Sequence, residues 1–165
     1  MDLPENHEID ALVPEYTDEG DATHIYLRDG RDFLVPTTLR TTLKNLFSRS
    51  CRDLPRLRAW TAQRTHQRQN NPLPLDEDLV LCPFKVREPR VRGDVCMCCI
   101  NVASGVTLAP GTASVLVTPG GHEIPTLWSR TTAQRHIERG ALITLELQHL
   151  LDIKRRYHLQ KFLGH

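Results

Sequence analysis

The chain has 165 residues and a mass of 18.8 kDa, a length typical of one domain with a single core. It is 39% hydrophobic and 25% charged, a composition that excludes a wholly disordered chain. Its sequence has no apolar run long enough for a membrane span and no basic-then-apolar N-terminal segment. The five cysteines, an odd number, form no disulfide framework, so we expect a cytoplasmic protein with reduced thiols.

The formal net charge of +1 conceals two oppositely charged segments. Residues 1 to 21 contain eight acids and no lysine or arginine, whereas residues 22 to 165 hold all 21 basic residues against 12 acids. The densest basic stretch, residues 28 to 68, has ten basic residues, of which nine are arginine. Arginine binds phosphate through a planar fork and enters narrow grooves, so the stretch indicates contact with a polyanion. The alternative is that these cations are solvated or pair with the acidic N-terminus.

The first predicted element is an acidic, partly ordered arm over residues 1 to 22, which contains two prolines and few large apolar groups. A β-hairpin follows, with strands over residues 24 to 28 and 31 to 35. Asp29-Gly30 lies between them, and this dipeptide favours a two-residue type I′ turn.

Two helices are predicted next. Thr37 or Thr38 caps the first helix, and its apolar residues are spaced to form one stripe: Leu39, Leu43, Leu46 and Phe47. Asp53 caps the second helix, with Pro55 in its first turn.

Strand-like runs occupy the middle of the chain, at residues 79 to 86, 95 to 102, 113 to 117 and 122 to 127. After them, Thr131 or Thr132 caps a short helix that ends at Gly140. An amphipathic helix is then predicted within residues 144 to 165. The sequence therefore predicts one α+β fold: the acidic arm, a domain over residues 23 to 143 with an N-terminal hairpin, two helices and a largely antiparallel sheet, and a C-terminal helix.

The cysteines at Cys96, Cys98 and Cys99 are the first candidate for chemistry. Three thiolates could hold zinc, but in a strand Cys99 points away from the other two, and the spacing favours small buried side chains. The sequence also has no phosphate-binding glycine loop, no His-Glu-x-x-His pair and no Gly-x-Ser-x-Gly elbow. We therefore predict no catalytic residues, no metal, no cofactor and no enzyme activity.

Cations between two predicted strands are the second candidate. Prolines and a glycine constrain this arginine loop, whose cations are Lys85, Arg87, Arg90 and Arg92. Four cations on a short loop can enter a DNA groove while cations elsewhere hold phosphates. For the phosphate contacts we predict Arg40, Lys44, Arg130 and Arg135. The alternative is an ordinary solvated loop whose cations pair with Glu88 and Asp94.

The order of features resembles the ComK family of competence transcription factors and, more distantly, LytTR-type DNA-binding domains. The resemblance runs from about residue 24 to residue 139. Its carriers, besides the arginine loop, are Val35-Pro36, Ser50-Cys51, Pro72-Leu73-Pro74-Leu75 before a strand, Cys99-Ile100-Asn101-Val102, the strand pair around Ser114 to Thr118 with Gly120-Gly121, and Gln134-Arg135 in a closing helix.

The resemblance implies a bacterial transcription activator that binds double-stranded A·T-rich DNA, largely through the minor groove, as dimers that assemble further. We therefore expect double-stranded DNA as a partner, a homo-oligomer and no membrane association. The alternative function is a protein-interaction module or adaptor, in which the acidic arm and the C-terminal helix bind a regulatory protein or another copy of the chain.

Overall fold

The computed structural model describes residues 2–50 and 53–164, so Cys51 of the Ser50-Cys51 pair lies outside the described residues. Six strands form the main sheet: β1 (Ile9–Thr17), β2 (Gly20–Leu27), β3 (Asp32–Val35), β4 (Leu73–Asp76), β5 (Leu79–Lys85) and β6 (Met97–Asn101). A small second sheet contains β7 (Thr107–Leu108), β8 (Val115–Val117) and β9 (Glu123–Pro125). The helices are α1 (Leu39–Arg49), α2 (Leu54–Thr65) and α3 (Arg130–Phe162), and 3₁₀ turns lie at Asn6–Glu8 and Val102–Ser104.

The main sheet is antiparallel with the strand order β3-β2-β1-β6-β5-β4, and the small sheet has the order β7-β8-β9. One face of the main sheet packs against α1, whose Leu39, Leu46 and Phe47 share a core cluster with Leu12 and Ile25. The other face packs against α3 and the small sheet in a second cluster. This arrangement confirms the predicted α+β class and single domain.

β1 corrects the prediction of a partly ordered arm over residues 1 to 22. This strand pairs with both β2 and β6 inside the sheet, and its Ile9, Ala11 and Leu12 are fully buried. Two acids of this strand have partners in the fold. Asp10 lies at a β-bulge and is fully buried, and it accepts from the Gly120 amide at 2.7 Å and lies 3.8 Å from Arg28 Nε. Glu15 contacts His24, 2.8 Å from Glu15 Oε2 to His24 Nδ1.

The predicted hairpin is confirmed in its strands but not in its turn. β2 pairs with β3 from Thr23↔Val35 to Tyr26↔Asp32. A type I′ turn needs positive φ at two successive residues. Here Gly30 has φ 92°, Asp29 does not have a positive φ, and the Leu27 carbonyl accepts from the Gly30 amide at 3.1 Å. The loop is therefore a three-residue turn that ends in a left-handed glycine.

The two predicted helices begin at the predicted caps. The Thr38 hydroxyl accepts from the Thr41 amide at 3.2 Å, and an Asp53 carboxylate oxygen accepts from the Arg56 amide at 3.2 Å. α2 ends at Thr65, and His66 follows with a left-handed φ of 57°. The caps fix the residues at which the two helices begin.

The small sheet is attached to the main sheet through the Gly120-Gly121 turn. The Gly120 amide donates to Asp10 Oδ2 at 2.7 Å, and a His122 ring nitrogen lies 2.8 Å from the Leu27 carbonyl. A Cβ on Gly120 would lie 2.5 Å from that carbonyl oxygen. Glycine is therefore required here by a close approach of two backbones.

α3 corrects three predictions about the C-terminus. It is one helix of 33 residues, capped by Ser129 rather than Thr131 or Thr132. Gly140 does not end it but lies within it, so no domain boundary separates residues 23 to 143 from residues 144 to 165. The reason is tertiary: Gly140 leaves room for the Val102 side chain, whose Cγ2 would lie 2.6 Å from a Cβ built on Gly140.

Candidate nucleic-acid interface

A cleft lined by apolar side chains and three cations lies between α1 and α2. It has a volume of about 340 Å³ and is bordered by the cations Arg40 and Lys44 of α1 and Arg58 of α2. α1 buries Leu39 and Leu46, and this rotation leaves Arg40 and Lys44 exposed on one side of the helix because residues four apart share a face. The structure therefore brings two of the predicted phosphate contacts together.

A second cleft, of about 410 Å³, continues from the first because both are lined by Arg58 and Leu73. It adds Arg68, which lies in the loop between α2 and β4. That loop is held by side-chain hydrogen bonds of Asn71, whose Oδ1 accepts from Thr65 Oγ1 at 2.6 Å and whose Nδ2 donates to the Gln67 carbonyl at 2.6 Å.

The two clefts together form a surface that we call the α1–α2 basic surface, with cations Arg40, Lys44, Arg58 and Arg68. Within the part of the chain that the structure describes, no carboxylate lines either cleft and none of these four cations forms an ion pair. Arg58 and Arg68 were not among the predicted contacts. The signal for them was the density of arginine from residue 28 to residue 68.

β5 leads from this surface to the arginine loop. Pro83 lines the second cleft, and Lys85, two residues later, lies on the same face of the strand. Lys85 is half-buried and pairs with Glu88, Nζ to Oε1 at 3.1 Å. This pair is the one that the alternative of a solvated loop predicts.

Arg87 points inward rather than toward solvent. Its side chain is 11% exposed, and its guanidinium donates to both carboxylate oxygens of Asp21 at 2.9 and 2.8 Å and to the Val95 carbonyl at 2.6 Å. It also lies over the Tyr16 ring, 3.8 Å from Cζ to the ring centroid. Arg87 therefore contributes to the structure of the loop.

Arg90 and Arg92 are exposed on the same loop. The Arg90 guanidinium lies on the Tyr16 ring at 4.0 Å, and Asp94 Oδ2 accepts from the Arg90 and Val91 amides at 2.9 and 3.0 Å. The hydrogen bond from the Tyr16 hydroxyl, and then those from the Val91 and Arg90 amides, hold the pKa of Asp94 below its usual value. Asp94 thus binds the loop backbone rather than an arginine side chain.

Arg130 and Arg135 lie on a different layer. They border a cleft with Leu108 and Glu138 at the start of α3, the helix that packs on the opposite face of the main sheet from α1. Arg130 donates from Nη1 to the carbonyls of Ala109 and Ala113 at 2.8 and 2.7 Å, whereas Arg135 is exposed. The structure does not bring these two predicted contacts into the cleft that Arg40 and Lys44 border.

Cys98 and Cys99 are arranged as hydrophobic side chains. Cys98 and Cys99 belong to the core clusters on opposite faces of the main sheet. Burial raises the pKa of the Cys98 thiol well above its usual value and that of Cys99 to about 12, so both stay protonated near neutral pH. Among the described residues, no group of three or more His, Cys, Asp or Glu side chains is arranged to hold a metal ion.

None of the helices in the described part of the chain is both long and apolar enough to span a membrane. In comparisons with known proteins, no protein-family model matches the chain, and neither a curated protein nor a solved structure shows significant similarity to it. The resemblance to the ComK family stays a prediction.

Proposed function

We propose that this protein is a transcription regulator of the competence-factor type that binds double-stranded, A·T-rich DNA. The observation that carries the proposal is the α1–α2 basic surface, where four cations border two connected clefts without a lining carboxylate among the described residues. Uncompensated cations that are grouped on one surface attract phosphates and release counterions from DNA. The preference for A·T-rich DNA is what the resemblance to the ComK family implies.

The arginine loop supports the proposal because it offers a groove contact beside the phosphate contacts. Arg90 and Arg92 are exposed at its tip, and β5 connects the loop to the α1–α2 basic surface through Pro83 and Lys85. An A·T-rich minor groove is narrow and strongly negative, and it attracts inserted arginines. In this arrangement the cations of α1 and α2 contact the DNA phosphates, and Arg90 and Arg92 of the loop enter the minor groove.

The first experiment measures the salt dependence of DNA binding by fluorescence anisotropy, with labelled A·T-rich and G·C-rich duplexes. We expect tighter binding to the A·T-rich duplex. If about six phosphates are neutralised, the slope of log K against log salt is about −5. Absence of binding to either duplex, or a slope near zero, would contradict the proposal.

As a second candidate function, we propose that α3 binds a second copy of this chain. Every described residue from Asp152 to Gly164 is exposed, including Tyr157 and Phe162. Beside this segment, a groove of about 630 Å³ is lined by apolar residues, three acids and three cations: Leu57, Trp60, Pro74, Leu147, Leu150, Leu151, Asp53, Asp76, Glu77, Arg56, Lys154 and Arg155. The charges of the groove are largely balanced within one copy, because Glu77 pairs with Arg155 at 2.9 Å and Asp53 with Arg56 at 3.5 Å. Its apolar lining is the part that suits the exposed Tyr157 and Phe162 of another copy.

Sedimentation velocity of the full chain tests this association. We expect a concentration-dependent dimer that Tyr157→Asp shifts to monomer, because a buried carboxylate at the interface is unfavourable. A wild-type monomer at all concentrations would contradict self-association. The regulatory protein of the alternative function would then be the remaining occupant to test.

A further inference from the structure

The tip of the β1–β2 hairpin contacts the arginine loop across the sheet. Tyr16 and Asp21 are cross-strand partners, and both point toward the loop. Each makes direct hydrogen bonds to a loop residue distant in the sequence. Residues of the acidic N-terminal segment therefore hold the arginine loop in place.

Tyr16 makes contacts of two kinds. Its ring lies between two guanidinium groups, with Arg87 Cζ at 3.8 Å and Arg90 Cζ at 4.0 Å from the ring centroid. Its hydroxyl donates to Asp94 Oδ2 at 2.5 Å and accepts from the Arg90 amide at 3.1 Å. The ring thus stacks on the loop's side chains while the hydroxyl binds its backbone.

Asp21 holds the guanidinium group of Arg87 inside the protein. The paired hydrogen bonds at 2.9 and 2.8 Å form a bidentate, charge-assisted contact, and Arg87 Nε donates to the Val95 carbonyl. All three guanidinium nitrogens of Arg87 therefore donate within the protein. Arg90 and Arg92 are the arginines of this loop whose side chains are left exposed.

We propose that Tyr16 and Asp21 are positioning residues that hold the arginine loop in its DNA-reading conformation, with Arg87 as their link and Arg90 and Arg92 as the groove contacts. The inference rests on the proposed DNA binding and deepens it. A loop that is ordered before binding loses less conformational entropy in the complex. Tyr16 and Asp21 then govern the preference between DNA sequences rather than the overall electrostatic affinity.

The test compares Asp21→Asn and Tyr16→Leu with the wild type on the A·T-rich and G·C-rich duplexes. We expect the ratio of the A·T-rich affinity to the G·C-rich affinity to fall about fivefold to tenfold in both variants, because each binds the A·T-rich duplex more weakly. Because Asp21→Asn removes a negative charge, its affinity for the G·C-rich duplex should stay the same or rise, which general damage to the protein would not produce. The salt slope should change by less than one unit, since no phosphate contact is removed.

Three further variants complete the design. Tyr16→Phe keeps the ring between the guanidinium groups and should retain part of the preference. Arg92→Ala removes a proposed groove contact and should lower both the preference and the salt slope. Asp18→Asn removes an acid of the same hairpin turn that makes no described contact with the loop, so it is the matched control and should keep the wild-type preference.

Amide hydrogen exchange measures the positioning without DNA. The amides of Arg90 and Val91 should be protected in the wild type and exchange faster in Tyr16→Leu, while the amides of β1 and β2 stay protected. A wild-type chain that binds neither duplex would overturn the proposed function and this role with it. A wild type that discriminates, with Asp21→Asn and Tyr16→Leu discriminating equally well, would overturn the positioning role only.

Discussion

Gly140 of α3 packs closely against Val102. A Cβ on Gly140 would lie 2.6 Å from Val102 Cγ2 and 3.1 Å from Val102 Cβ. We expect Gly140→Ala to destabilise the protein by about 1–3 kcal/mol, because overpacking a rigid contact costs more than alanine gains in helix propensity. Chemical denaturation measures the change in the free energy of unfolding.

The control for Gly140→Ala is a double-mutant cycle with Val102→Ala. Truncating Val102 makes room for the new methyl group, so the double variant should be more stable than the sum of the two single effects predicts. Strict additivity would show that the methyl group of Ala at position 140 does not contact the Val102 side chain.

His136 is a buried imidazole on α3 that packs against Trp128, with ring centroids 4.3 Å apart. Burial, and then the nearby Arg139 charge, lower the pKa of His136 to about 4. Between that value and the ordinary pKa near 6.5, the unfolded chain binds a proton that the folded chain does not. Stability should therefore fall as the pH falls through this window, with an upper bound of about 3 kcal/mol.

Thermal unfolding of the wild type and of His136→Gln between about pH 7 and about pH 5 measures this effect. The variant should be less dependent on pH over this range. Equal pH dependence in the two proteins would show that other groups control the acid response.

β1 shows why a prediction of an arm from composition was wrong. Eight acids among the first 21 residues indicate a segment that cannot bury enough apolar surface. The strand has few apolar residues, but each faces a core cluster. Leu12 lies in the cluster on the α1 side of the sheet, and Ala11 lies in the cluster on the α3 side. The partners that make this strand favourable come from β2 and β6, and β6 lies more than 80 residues away in the sequence.

α3 has a buried part and an exposed part. Ile143 and Thr144 are buried, Leu147, Leu150 and Leu151 are half-buried, and the residues from Asp152 to Gly164 are exposed. Deleting residues 152 to 165 should leave the unfolding temperature nearly unchanged, because it removes an exposed Arg155–Glu77 ion pair worth less than about 1 kcal/mol. The same deletion should abolish the self-association proposed above.

The longer deletion of residues 144 to 165 is the matched comparison. It also removes the three leucines that line the groove beside Trp60, and each is worth about 1–2 kcal/mol when half-buried. We expect it to destabilise the protein by several kcal/mol in calorimetry. Equal unfolding temperatures for the two truncations would contradict the division of α3 described here.

The cations considered for DNA contacts lie on two layers of the fold. Arg40, Lys44, Arg58 and Arg68 lie on the α1 side of the main sheet, whereas Arg135 lies on α3 at the other side. A DNA duplex that lies along the α1–α2 basic surface contacts one layer. Arg58→Ala should therefore weaken binding to all duplexes alike, about threefold to tenfold, and lower the salt slope by about one.

Arg135→Ala removes the same charge from the other layer and should leave the affinity within about twofold of the wild type. The anisotropy titrations described above measure both variants. Equal losses for Arg58→Ala and Arg135→Ala would mean that DNA contacts both layers.

Local sequence signals were enough to predict the strands of the hairpin, the caps Thr38 and Asp53, the strands of the middle region and the α+β class. These follow from turn residues, capping side chains and apolar periodicity, which act over a few neighbouring positions. Local signals could not show that the acidic segment pairs inside the sheet, that Gly140 packs on Val102, or that Arg87 turns inward to Asp21 while Arg58 and Arg68 join Arg40 and Lys44. Each of these features is a contact between residues that are far apart in the sequence, so only the tertiary structure reveals it.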